Sequence, residues 1–330
     1  QIEDVLGRIG GLKKIEVQPV IGTEDHYHYR SKITPHYDAP KKSAEGIIDN
    51  IGFKRKSFPI PFYGYNLTET KIGKIVDVPF CPIATREINE ALPKVRNAAK
   101  ENFLWKFQAE SNTEIVKKRR KTKGATLLLR HTIEGIATDN KSIVTEKVKD
   151  LIFSFQAGEF FQNNPFVLPL MLDHVISQAK GKDGTKYLID AYCGGGLFCL
   201  GASLSFEKCI GIEVSKAGIE SAKSNAASNH LENCEFMCGN ADSIFKNVDF
   251  DSKETAVIID PPRKGCDESF LKQLFEYKPK RIVYVSCEPS TQARDTRDIV
   301  DAGYVVVDIT PFDLFPQTRH VENVITFQMA

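Results

Sequence analysis

Asp190-Ala-Tyr-Cys-Gly-Gly-Gly196 is the stretch that decides the fold. A short apolar run, Lys186 to Asp190, ends in an acid and enters three glycines before the apolar stretch Leu197 to Leu204. Strand, bare turn and helix in that order let a ligand approach unobstructed backbone at a helix amino terminus. The same rhythm continues downstream. Lys208–Glu213 reads as a second strand, and Ser215 is placed to cap a helix running to about Asn229. Cys234–Cys238 is a third strand, Thr255–Asp260 a fourth, and Arg281–Ser286 a fifth, followed by a polar helix over Pro289–Val300. Tyr304–Ile309 and His320–Phe327 are the last two strands. Short β-branched runs between helices are the mark of buried parallel strands. From about residue 156 the chain is therefore expected to form an α/β, Rossmann-like doubly wound sheet.

Four features of that sheet carry chemistry. Glu213 lies 23 residues after Asp190, at the end of the next strand, where a carboxylate can accept from both hydroxyls of a ribose. The spacing alone fits NAD. The glycines, however, are not GxGxxG and the turn opens with an acid, which favours S-adenosyl-L-methionine, a cationic cofactor with no pyrophosphate to cradle. In Asp260-Pro-Pro-Arg263, two prolines stiffen the exit of the fourth strand and hold a carboxylate at the edge where open α/β sheets bind ligands. Ser286-Cys287-Glu-Pro289 puts a thiol on that same edge, in a loop that suits a nucleophile, whereas Cys199 and Cys209 read as packing residues. His320-Val-Glu322-Asn323 follows the polar loop Gln317–Arg319; an exposed glutamate there would ordinarily be a solvated charge.

The first half is less regular. His28–Thr34, Lys74–Val78 and Ala125–Thr132 read as strands, Glu87–Phe107 as a helix, and Gly46–Phe53 and Phe58–Tyr65 as extended, together an α+β domain with an antiparallel sheet. The expected boundaries are 1–155 and 156–330. Charge divides along the same line. Residues 1–150 carry 27 Lys and Arg against 19 Asp and Glu, and residues 151–330 carry 17 against 24, within a chain of net charge +1. A basic half points to a polyanion. Its densest runs are Lys117-Lys118-Arg119-Arg120-Lys121 with Lys123, and Lys54-Arg55-Lys56. These are candidate phosphate contacts, although 117–123 also reads as a nuclear-import signal.

The 330 residues are 42% apolar and 26% charged, which excludes disordered and collagen-like classes. The longest mostly apolar run, Phe166–Leu172, is shorter than the ~18 residues that span a bilayer, so no membrane association is expected. The eight cysteines form no CxxC pair and seven lie in the second half. That fits a reducing intracellular compartment, cytoplasm or nucleus, and neither a disulfide framework nor a metal site is expected. A mitochondrial form is left open, because the sequence begins at Gln1 rather than Met.

Taken together, Gly158-Glu-Phe-Phe-Gln-Asn-Asn164, the glycine turn, Asp260-Pro-Pro-Arg-Lys-Gly265, Ser286-Cys-Glu-Pro289 and Phe315-Pro-Gln-Thr-Arg-His-Val-Glu322 resemble the tRNA (uracil-5-)-methyltransferase family. The end of the chain looks most like its eukaryotic, fungal-type members. The resemblance implies a class I S-adenosylmethionine-dependent methyltransferase domain with an N-terminal α+β RNA-binding domain. It implies Cys287 as nucleophile and Glu322 as proton acceptor, with Gln162, Tyr192, Glu213 and Asp260 on the cofactor. Gly194 and Asp242 are counted with that set. Leu197 stands where the bacterial tRNA enzyme carries Asn. The cysteines that ligate an iron–sulfur cluster in the ribosomal-RNA branch are missing, which favours tRNA, with the T-loop uridine as the usual target.

The chemistry such residues would perform is covalent. Carbon 5 of uracil is a weak nucleophile until a thiolate adds at carbon 6, and a base must then take the carbon-5 proton. The thiol is expected to be lowered by Arg263 or Arg294, and Glu322 raised by burial near Phe315. The target base must be unstacked, and Phe53, Tyr63 and Tyr65 are candidates to stack on loop bases. No obligate protein partner is inferred. The alternatives are an RNA cytosine-5 or other RNA methyltransferase, or a tRNA-binding and folding protein with a vestigial cofactor site.

Overall fold

The computed structural model describes residues 1–13, 15–39, 48–54, 74–111, 124–182, 184–239, 244–245 and 248–330. It resolves into two compact units. One comprises Gln1–His26, Thr145–Phe155 and Asn164–Ala330, and the other Tyr27–Val144 and Gln156–Asn163.

The first unit is built on seven strands: β1 (Tyr187–Ala191), β2 (Lys208–Glu213), β3 (Cys234–Cys238), β4 (Thr255–Ile259), β5 (Arg281–Ser286), β6 (Tyr304–Phe312) and β7 (Glu322–Met329). Their order is β3-β2-β1-β4-β5-β7-β6. β1 to β5 pair in parallel, while β7 runs antiparallel to both β5 and β6. The chain starts in the middle at β1, moves out to β3, then returns to the other side at β4. In open sheets of this order the reversal, here between β1 and β4, is where loops diverge and ligands bind. Every residue of β4 and β5 is buried, so apolar runs there serve two covered faces.

Helices α1 (Leu168–Lys180), α2 (Leu197–Ala202), α3 (Lys216–Ser228), α4 (Glu268–Tyr277) and α5 (Pro289–Asp301) belong to the same unit. Ser215 caps α3 as expected, its side chain accepting from the Gly218 N–H. β6 runs three residues past its expected end, to Phe312. Pro311 is accommodated because β6 is the sheet's edge, where a missing N–H costs no ladder bond. β7 begins at Glu322 instead of His320.

The boundary expected at 155/156 is crossed by the amino terminus. A short helix over Ile2–Arg8, unmarked in the sequence, buries Ile2 and Leu6 in the core that holds Ala293 and Ile299 of α5. Burial of two such side chains is worth roughly 1.5–3 kcal/mol each, which outweighs their nearness in sequence to the other unit.

The second unit is α+β with antiparallel pairing. Ile75–Asp77, Gly52–Lys54, His36–Tyr37 and Ala125–Thr126 form one sheet, and Lys32–Ile33, Leu129–Thr132 and Gly135–Ala137 another. A helix over Arg86–Ser111 packs Ile88 and Leu92 against Ile33 and Leu129. Arg96 of that helix is buried and reaches both Asp77 oxygens, at 2.8 and 3.0 Å. Of the strand expected over His28–Thr34, Lys32–Ile33 forms the ladder and Arg30 adds one isolated bridge to Ala84; of Gly46–Phe53, among the described residues, the strand covers Gly52 and Phe53. Phe58–Tyr65, with Tyr63 and Tyr65, lies outside the described residues. Among the described residues no helix is long and apolar enough to cross a membrane.

Candidate active site

The site forms where β1, β2, β4 and β5 end and the antiparallel β7 begins. β1 delivers Asp190, which is fully buried. Its Oδ2 accepts the Cys199 N–H at 3.0 Å, tying the first turn of α2 to the strand. Its Oδ1 is buried and finds no partner among the described residues. Burial pushes this carboxyl up to about 8, the Cys199 N–H pulls it back in part, and Asp260 and Glu213 push it further.

The turn that follows is strained and open. Tyr192 sits at φ 112°, a region that disfavours any residue with a Cβ, and both its N–H and that of Cys193 donate to the Ile212 carbonyl. Its ring packs against Phe270 with centroids 5.2 Å apart. Gly194, at φ +51°, has only open space where a Cβ would stand. Its N–H donates to Glu213 Oε2 at 3.2 Å, while Glu213 Oε1 accepts from Ser215 at 2.9 Å. Two backbone donors thus fix the Glu213 carboxylate beside the turn, with lone pairs left over for a ligand. An open glycine turn beside the Glu213 carboxylate, with the buried carboxyls of Asp190 and Asp260 behind it, suits a ligand with hydroxyls and a cationic end, whose charge would favour ionising those carboxyls.

The reactive side follows from strand register. β5 and β7 are antiparallel with Ser286 opposite Asn323. The pairing ends there, so Cys287 is the first residue beyond β5 and Glu322 is the neighbour of Asn323 at the start of β7, near enough for the charge of Glu322 to act on the Cys287 thiol. Buried side-chain amides lock that register: Gln292 Nε2 donates to the Tyr284 and Asn323 carbonyls, at 3.0 and 3.1 Å, and Asn323 Nδ2 donates to Gln292 Oε1 at 2.8 Å. β4 is parallel to β5 with Ile259 opposite Tyr284, so Asp260 leaves the sheet alongside.

The charges in this corner act on one another. Glu322 is 3% exposed, and burial holds its carboxyl well above the usual range, with Asp260 adding and Arg263 opposing. Asp260 is pushed up to about 7 by burial of its carboxyl. Cys287 is half-buried, and burial raises its thiol, as do Glu322 and Asp260, while Arg263 pulls it down by charge and by a side-chain hydrogen bond. The expectation of a lowered thiol is therefore corrected: burial and two carboxyls outweigh one guanidinium. Arg263 is the cation involved. Arg294, the other candidate, is held by Asp295 at 2.7 Å.

The structure thus brings together Tyr192, Gly194, Glu213, Asp260, Cys287 and Glu322. Gln162 lies in the second unit. Asp242 lies outside the described residues, as do Arg55, Lys56, Lys117, Lys118, Arg119, Arg120, Lys121 and Lys123. Lys54 is exposed at the end of its strand. Phe53, a candidate for base stacking, packs instead on the core of Ile33 and Ile88. Sequence reading missed Gln292 and Asn323, and also Asn225, whose buried amide donates to the Gly195 carbonyl at 3.1 Å and shapes the glycine turn. A polar residue at a helix position gives no hint of burial.

Asp190 makes a prediction about stability. Its carboxyl holds protons more tightly folded than unfolded, so folding stability is fully present at low pH and is lost as pH rises from about 4 to about 8. Asp190→Asn removes that loss and keeps an oxygen for Cys199. Without ligand, the variant should melt higher than the parent at pH 8.5, and the gap should narrow steadily towards pH 5. Thermal unfolding across that range checks this, and an equal gap at both ends would contradict it.

The family model described as tRNA (Uracil-5-)-methyltransferase matches residues 104–329. The chain belongs to the tRNA (uracil-5-)-methyltransferase family. It is 39% identical to the tRNA (uracil(54)-C(5))-methyltransferase of Schizosaccharomyces pombe, over 94% of this chain and 56% of that protein. It is 36% identical to the enzyme of the same name from Saccharomyces cerevisiae, over 90% of this chain and 52% of that one. The chain thus spans about half the length of the curated relatives it matches. Among solved structures, Pyrococcus abyssi tRNA (uracil-54, C5)-methyltransferase in complex with S-adenosyl-L-homocysteine superposes with a TM-score of 0.69 at 23% identity, covering 99% of this chain and 81% of that one. The shared architecture is the class I methyltransferase fold.

Proposed function

We propose that this family member methylates carbon 5 of a uridine in tRNA, the T-loop uridine, using S-adenosylmethionine and a covalent bond from Cys287 to carbon 6 of the base. The observation that supports this is the meeting of the end of β5 with the start of β7, where Ser286 pairs with Asn323 and the neighbouring Cys287 and Glu322 feel one another's charge together with Arg263 and Asp260.

The cofactor fits the residues present. Glu213 would take its ribose hydroxyls, Gly194 leaves room for it, and the unpartnered Asp190 Oδ1 and Asp260 would face its cationic end, which would favour their ionised forms. When bound, S-adenosylmethionine supplies an electrophilic methyl group.

The chain's own residues supply the rest. Arg263 stabilises Cys287 as the thiolate that attacks carbon 6. That addition makes carbon 5 an enolate carbon able to accept the methyl. Glu322 then removes the carbon-5 proton, and the returning electron pair expels the Cys287 sulfur and restores the ring. Burial keeps Glu322 a stronger base than an ordinary carboxylate. Cys287 begins and ends as thiolate, and the proton lost from carbon 5 leaves through Glu322.

tRNA is the proposed substrate and the basic first half its proposed ground, with Lys54, Arg55, Lys56, Lys117, Lys118, Arg119 and Arg120 on the phosphates. The test is incubation with unmodified tRNA transcript and methyl-labelled cofactor, followed by nucleotide mapping. Label in one 5-methyluridine of the T-loop is the expected result. Label in cytidine would point to a cytosine enzyme, and RNA binding with no label to a folding protein.

A further inference from the structure

Asp295, on α5, is almost wholly buried at 1% exposure and receives four hydrogen bonds. Arg294 Nε and Nη2 donate to its Oδ1 at 2.9 and 2.7 Å. The Tyr284 hydroxyl and the Cys266 N–H both donate to its Oδ2 at 2.8 Å. The first of these last two groups lies three residues before Cys287, and the second closes the loop that carries Arg263. One carboxylate therefore joins the end of β5 to the loop after β4.

Its neighbours hold the same loop from the same helix. Arg294 Nη2 donates to the Lys264 carbonyl at 3.0 Å, and the Thr291 hydroxyl lies 3.1 Å from the Arg263 carbonyl and 3.0 Å from the Glu288 carbonyl, its one proton shared between them. Gly265, at φ +80°, lies so close that a Cβ would stand 2.5 Å from both Arg294 Nη2 and Asp295 Oδ2. The loop is thus seated over residues 263–266 on a helix that begins two residues after Cys287. Nothing in Pro262-Arg263-Lys264 alone would hold a solvent-facing guanidinium against a thiol, since a free arginine side chain carries much rotamer entropy.

We propose that Asp295 is a positioning residue for the reaction: with Arg294 and Thr291 it clamps the loop after β4 onto α5, so that Arg263 stays against the Cys287 sulfur. This rests on the reading of Cys287 as the nucleophile. In Asp295→Asn, whichever way the amide points, an NH2 faces either the Arg294 donors or those of Tyr284 and Cys266, so the clamp loosens.

The readout is the pH dependence of Cys287 alkylation by iodoacetamide, followed on the Cys287 peptide by mass spectrometry. Losing a nearby cation raises a thiol's pKa by about one unit, which is about tenfold in rate at pH 7. Asp295→Asn should show that shift, Arg263→Gln should show the same one, and the double variant should go no further. Thr291→Val, a milder change, should slow alkylation roughly threefold, the size of one neutral hydrogen bond. Methyl transfer should fall in step while the KM for cofactor holds. If Asp295→Asn folds, by its melting curve, and keeps the parent's alkylation profile, the clamp is wrong. Should Asp295→Asn not fold, an unchanged profile in Thr291→Val overturns the clamp equally. If the profiles shift as stated but Cys287→Ala still methylates tRNA, the clamp stands and the nucleophile reading fails.

Discussion

Cys287→Ala should stop methylation of tRNA, with turnover falling by at least about 10⁴-fold, the usual cost of deleting a covalent nucleophile. Among the described residues no other thiol in the corner is placed to replace it. The remaining thiols nearby, Cys193 and Cys266, are buried and raised first of all by desolvation. Cofactor affinity should be unchanged, because the groups proposed to hold S-adenosylmethionine are Asp190, Glu213 and Asp260. Calorimetry with the cofactor, beside a labelled-methyl assay, separates the two effects. An active Cys287→Ala enzyme would mean that the target atom needs no activation, as for an exocyclic amine.

Glu322→Gln should separate the two halves of the reaction. Glutamine keeps the shape and the place beside Cys287 but cannot take a proton. One methyl should therefore be transferred and the enzyme should then remain attached to its RNA, visible as a slow band on a denaturing gel. Steady-state turnover should fall by about 10²- to 10⁴-fold, the range for loss of a general base. The sign of a second effect follows from the electrostatics. Glu322 raises the Cys287 thiol, so its removal should move thiolate formation to lower pH. Adduct formation in Glu322→Gln should then persist at a pH where the parent has slowed. In the parent, both groups must lose protons and both are held above their ordinary values, so activity should climb as pH rises through neutrality. Normal turnover by Glu322→Gln would remove Glu322 from the proton step.

Much of this is legible in the amino-acid sequence. The five parallel strands announce themselves as apolar runs separated by glycines, prolines and polar helices, since burial on both faces leaves no room for alternation. Asp190, Glu213 and Asp260 can be placed together because strand ends in such a sheet share an edge. Long-range pairing is what the sequence does not carry. Glu322 looks like a solvated charge until β7 is seen to run antiparallel between β5 and β6, which buries it beside Cys287. Gln292 and Asn323 hold that register with buried amides that no periodicity marks. The direction of the Cys287 shift is hidden for the same reason: the carboxyls that raise it are distant in sequence. The amino-terminal helix joins the unit distant in sequence because Ile2 and Leu6 complete its core, a fact of packing rather than of pattern.

The most direct test is the mass of the trapped species. Glu322→Gln is reacted with unmodified tRNA transcript and S-adenosylmethionine, then digested with nuclease and protease. A single peptide containing Cys287 should carry one methylated uridine nucleotide. Complete methylation of the RNA with the Cys287 peptide at its unmodified mass, or the nucleotide on a different cysteine, would contradict the covalent route.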